Sequence, residues 1–174
     1  MEAESVLKRR AFHEAGHCVV GFYRLGLVPL RSTVVPSDDG QTLGRTDWPY
    51  AESPQLAPFI AAAGRRPRPM GLVAADEQAA RDLIALHVAG EVVAKRLTGV
   101  AMPDLAGDDL VKAMSLARYI DLRDPESIIE QISREVDADI SEPATWQVIE
   151  RIADVLLAGS TLERAELARL LAGA

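Results

Sequence analysis

The chain is poor in several things that would each have pointed elsewhere. It has one cysteine, Cys18, in 174 residues. That excludes an intramolecular disulfide framework and fits a reducing compartment. Aromatic residues make up only 5% of it. Positive charge is in deficit, with 19 Lys and Arg against 26 Asp and Glu and a formal charge of −7, so a general affinity for nucleic acid is not expected. Lys8-Arg9-Arg10 and Arg65-Arg66-Pro67-Arg68 are local exceptions that read as a solvated helix face and a loop. No apolar run approaches the roughly 20 residues that cross a bilayer, and the charged N-terminus lacks the apolar stretch of a signal peptide. These absences, with 48% hydrophobic residues, predict a soluble, cytoplasmic protein folded as one domain over residues 1–174.

Histidine is also scarce, which gives weight to where it falls. Two of the three histidines stand in His13-Glu14-Ala15-Gly16-His17, an H-E-x-x-H pattern. On a helix, residues four apart share a face, so both imidazoles can reach one metal ion while Glu14 addresses a water on that metal as a general base. The pattern requires a continuous helix, and Ser5 to Leu25 supplies one without proline. Ala11, Ala15, Val19 and Phe22 form its apolar stripe, widened by Leu7, Cys18 and Leu25. Cys18 is read as core packing, because adjacent helical side chains diverge too far for it to join His17 on a metal.

Further on, Leu30 to Val35 reads as a short strand closed by Pro36 and Ser37-Asp38-Asp39-Gly40, with Gln41 to Trp48 as its hairpin partner. Pro49 to Gly71 holds five of the ten prolines and reads as an irregular loop insertion with a short helix near Pro58 to Ala63. Helical patterns resume at Ala74–Leu97, where Gly90 suggests close approach of another backbone. After a loop over Thr98–Gly107 they continue from Asp108 to about Leu122, then at Ser127–Asp139, Glu142–Ala158 and Arg164–Leu171. Ser160-Thr161-Leu162-Glu163 reads as the capped start of the last helix. The fold class is therefore mainly α with one small β-hairpin.

A catalytic zinc needs a third protein ligand and an open position. His87, without a ligand motif around it, reads as a histidine free of metal. Asp109 shares a helical face with Ala113, Leu116, Ala117 and Ile120, whereas Asp108 aligns with Lys112, Ser115 and Tyr119. A carboxylate on the buried stripe is costly unless it meets a cation, so Asp109 is the expected ligand and Asp108 a cap or surface group. Simple capping by both remains the plainer alternative, and Glu91 is a competing carboxylate on the preceding helix. Two imidazoles and one carboxylate favour a single zinc ion.

Phe12-His13-Glu14-Ala15-Gly16-His17-Cys18-Val19-Val20-Gly21 resembles the zinc-binding helix of the FtsH peptidase family, whose zinc protease domain accompanies an AAA ATPase module. Thr33-Val34-Val35-Pro36 with Thr42-Leu43-Gly44 is similar to that family's strand and glycine turn, and Ala89-Gly90-Glu91-Val92-Val93 to its glycine-containing helix. Gly107-Asp108-Asp109-Leu110 with Leu116-Ala117 resembles the segment carrying its third ligand, in a register that falls on Asp109. Thr161-Leu162-Glu163 with Leu167 is similar to its last helix. The resemblance implies a helical zincin-like peptidase fold, zinc on His13, His17 and Asp109, Glu14 as base, and a peptide or unfolded protein as substrate. It also implies a homo-oligomer or a separate ATPase as partner. No G-x-x-x-x-G-K-[ST] loop occurs, Pro49–Gly71 departs from the family, and Glu91 stands where an arginine commonly follows the glycine. The expectation is thus an ATP-independent zinc metallopeptidase, with Ser32 to Val35 pairing with an extended substrate. The alternative is a zinc-binding adaptor that keeps the fold without turnover.

Overall fold

The computed structural model describes residues 2–38, 44–53, 56, 59, 74–100 and 103–173. The turn at Asp39–Gly40, the start of the returning strand, most of Pro58–Ala63 and the basic run Arg65–Arg68 lie outside the described residues. The architecture is mainly helical, with a small antiparallel sheet. Helix α1 (Glu2–Leu25) leads into β1 (Arg31–Thr33) and β2 (Arg45–Asp47), and a 3₁₀ turn covers Tyr50–Glu52. Then come α2 (Ala74–Thr98), α3 (Pro103–Ile120), α4 (Pro125–Ser141), α5 (Pro143–Gly159), β3 (Thr161–Glu163) and α6 (Arg164–Ala172). Among the described residues, no helix is long and apolar enough to cross a membrane.

The apolar stripe of α1 lies where its periodicity places it: Ala11, Ala15, Cys18 and Val19 are fully buried, most extensively against α2 and next against α5. Small residues let the first pair approach. A side-chain carbon on Gly16 would fall 3.0 Å from the Ala89 carbonyl and 2.8 Å from a Val93 methyl. Around this pair, Ile132, Val136 and Ile140 of α4 and Val148, Ile149, Ile152 and Leu156 of α5 complete the main core. A second cluster gathers Leu27, Leu83 and Leu86 with Leu56 and Phe59, so the proline-rich segment is anchored in the core at two points.

Two differences from the sequence reading matter for the site and the sheet. Helix α3 begins at Pro103 rather than Asp108, because proline suits the first helical position and Gly107 is tolerated inside the helix at the cost of propensity alone. Asp108 is consequently no cap; it is exposed and pairs with Lys112 one turn on, at 2.7 Å. Thr161–Glu163 is a strand rather than a helix start. Its capping chemistry yields to backbone pairing with β1 and to burial of Leu162 in the main core.

The sheet order β2-β1-β3 puts β1 in the middle, with Ser32 opposite both Thr46 and Leu162. This overturns the assignment of Ser32–Val35 as the substrate-pairing segment. Both backbone edges of β1 are occupied, the Val34 amide donates to the Ser160 carbonyl, and the Val35 amide donates to Thr33 Oγ1. Among the described residues no strand pairs with the outer edge of β2, and its residues line the site cleft.

Candidate metal centre

Helix α1 presents His13, Glu14 and His17 from within its buried stretch, where all three are themselves buried, with exposures of 4%, 4% and 6%. Helix α3 brings Asp109 to meet them. The Nε2 atoms of His13 and His17 are 3.0 Å apart, and Asp109 Oδ2 lies 3.3 Å from His17 Nε2 and 3.9 Å from His13 Nε2. Bonds of about 2.0–2.2 Å in a tetrahedral arrangement separate neighbouring donors by about 3.3–3.5 Å. The triangle brackets that spacing, so the three residues can hold one metal ion. Neither Glu91 nor His87 belongs to that donor group.

The imidazoles are oriented from behind. The Leu86 carbonyl is 2.8 Å from His17 Nδ1 and fixes the proton there, leaving the Nε2 lone pair for the centre. The ring of His13 lies against Gly90: a side-chain carbon at that position would fall 2.5 Å from its Nε2 and 2.6 Å from its Nδ1. Gly90 thus marks a close approach, as its place in the helix suggested, but by the His13 imidazole rather than by a backbone.

Glu14 is held on the other side. Thr46 Oγ1 donates to its Oε2 at 2.7 Å, and Ser32 Oγ lies 3.0 Å behind Thr46. Gly44 leaves the space that Glu14 Oε1 fills, since a side-chain carbon there would sit 2.5 Å from that oxygen. The sheet therefore orients the carboxylate. Neither Thr46 nor Ser32 was legible as a site residue. Their only signal was alternation in two short strands, which says which way a residue faces but not what it faces.

Burial shapes the titration of the group. It lowers the His13 pKa to about 3, helped by the neighbouring His17. The same desolvation acts on His17, but Asp109 and Glu14 beside it prevail and raise its pKa to about 9. Desolvation likewise opposes charge on Asp109, and the opposing pull of His17 and His87 outweighs it and keeps the carboxyl well below its ordinary range. Burial pushes Glu14 up to about 7 against the opposing pull of His17 and the Thr46 hydrogen bond. The metal-free centre thus holds an anionic Asp109, one protonated imidazole and a carboxyl poised near neutrality. Cys18 is pushed by burial to about 12, an inert core thiol as its sequence position indicated.

All four groups open on one cleft of about 830 Å³, walled by Leu30, Trp48 and Tyr50 and by Gly44–Asp47 of the sheet. Arg10 also lines it, with its Nη1 donating to the Val34 carbonyl at 3.1 Å. In comparisons with known proteins, no family model and no curated protein matches the chain.

Proposed function

We propose that the chain is a zinc metallopeptidase of FtsH-like type, acting without ATP on extended or unfolded polypeptide. The observation that carries this reading is the meeting of His13 Nε2, His17 Nε2 and Asp109 Oδ2 beside a buried Glu14 carboxyl in one open cleft. Two imidazoles and a carboxylate suit zinc, and three donors from the protein leave a coordination position for chemistry. Zinc, when bound there, supplies Lewis acidity that activates water and polarises a peptide carbonyl.

The chain's own residues do the rest. Glu14, one residue from a ligand and raised toward neutrality, accepts a proton from the attacking water and returns it to the leaving amine. Thr46 holds Glu14 Oε2, which fixes the direction from which the proton is taken. The outer edge of β2 offers backbone groups to an extended substrate, a mode that reads main chain more than sequence. Trp48 and Tyr50 give the adjoining wall an aromatic lining for substrate side chains. Flexible segments or polypeptide already unfolded offer the extended backbone that such an edge can pair with.

The test pairs metal content with hydrolysis of an unstructured casein-like substrate. Wild type should carry one zinc and cleave, and Glu14→Gln should carry the same zinc with activity lower by about 10²–10⁴. Zinc in both proteins with cleavage by neither would favour the binding module, and turnover in Glu14→Gln equal to wild type would remove the base.

A further inference from the structure

One turn of α2 touches all three candidate ligands. The Leu86 carbonyl fixes His17, Gly90 makes room for His13, and His87 Nδ1 lies 2.9 Å from Asp109 Oδ1. The third contact joins α2 to α3, across 22 residues of sequence. His87 is largely buried, at 12% side-chain exposure, and lines the cleft. It lies outside the three-donor group, so its route to the centre runs through Asp109.

A carboxylate can bind a metal through one oxygen or chelate it through both. Here the two oxygens have different tasks. Oδ2 faces the imidazoles, while Oδ1 is taken up by His87. An ionised carboxylate only accepts, so His87 must carry its proton on Nδ1 and donate it. An oxygen engaged in this way is a poor second ligand atom, and the torsion that would swing it toward the imidazoles is blocked.

We propose that His87 is a positioning residue for the metal centre: its Nδ1–H holds Asp109 in a one-oxygen binding pose through Oδ2 and keeps a further coordination position clear. This rests on the metal-centre reading above. It assigns the turn Leu86–Gly90 as one orienting platform for three ligands drawn from two other helices. Partners of this kind are worth about 10–100-fold in metal affinity.

Cobalt(II) provides the readout, because its visible bands weaken when four-coordination gives way to higher coordination. Metal-free wild type, His87→Ala and His87→Asn are titrated with cobalt, and zinc affinity is measured by chelator competition. In His87→Ala, zinc affinity should fall by about 10–100-fold, and the cobalt bands should weaken as Asp109 engages through both oxygens. The amide nitrogen of Asn sits near the place of Nδ1, so His87→Asn should restore most of both properties, while His87→Gln should not. Should the alanine variant fail to fold, the Asn–Gln pair decides, and identical spectra for those two would overturn the proposal. A purely mechanical tie between α2 and α3 predicts a lower melting temperature in His87→Ala with unchanged cobalt bands and zinc affinity, and that result also overturns it. Wild type that takes up neither cobalt nor zinc would instead remove the metal-centre reading itself.

Discussion

The interior has two ends built on different principles. Where α4 packs on α5, Ile132, Val136, Ile140, Val148, Ile149, Ile152 and Leu156 are fully or almost fully buried, and charged groups such as Arg134 and Glu130 pair on the exposed side. Where α1 meets α2 and α3, small residues line the helix contacts and His13, Glu14 and His17 are buried among them. Apolar burial contributes about 25 cal/mol per Å² at the first end, whereas at the second each buried polar group costs free energy unless a partner meets it. The polar end can be kept in order because the apolar end supplies the surplus.

Removing bulk from the apolar end should have the largest effect. Ile152→Ala leaves a cavity beneath α5 and should lower unfolding free energy by about 2–5 kcal/mol in a denaturant titration. Metal stoichiometry should be unchanged in the fraction that stays folded; loss of metal at equal folding would show that the two ends are not separable.

Adding bulk at the polar end should have the opposite pattern. In Gly90→Ala the new methyl collides with the His13 ring, and overpacking of about 1–3 kcal/mol should appear as metal affinity weaker by roughly 5–150-fold. Alanine is the better helix former by about 1 kcal/mol, which offsets part of the overpacking, so the metal-free protein should melt only slightly below wild type. An unchanged metal affinity would mean that the ring can step aside freely.

Proton linkage refines the contrast with the smallest effect, about 1.4 kcal/mol per pH unit. Raised from 6.5 to about 9, His17 gives the metal-free fold a contribution that is complete below about 6.5 and lost as pH rises through about 9. A metal needs the Nε2 lone pair, so the same proton competes with it. Apparent zinc affinity should therefore fall about tenfold for each pH unit below 9, and calorimetry at pH 7 in buffers of different ionisation enthalpy should register about one proton released per zinc. No proton release would mean that His17 is neutral before metal arrives.

Much of the candidate site could be read before the fold, and the reason is local. His13, Glu14 and His17 sit within one helical turn, and the period of α3 separates Asp109 from Asp108 without tertiary information. The mainly helical class with a small sheet followed from the same periodicities. What escaped is non-local. The third strand is spelled like a helix cap and becomes a strand only because β1 lies beside it. Thr46 and His87 act on Glu14 and Asp109 across 32 and 22 residues, and nothing in their own neighbourhoods announces those partners. Gly107 looked like the end of a loop because a glycine in a helix is rare on propensity grounds, yet α3 runs through it.

The central place of β1 also bears on when the molecule can work. Thr33 is joined to Thr161 across 128 residues, a loop that must close before the sheet behind Glu14 is whole. A chain made from its N-terminus forms α1, with the histidines and the base, long before β3 exists. Glu14 meets Thr46, backed by Ser32, early in the chain, but the sheet that carries them is completed only when Thr161–Glu163 joins β1, so a copy made short of β3 holds its reactive groups against a hairpin with an open edge.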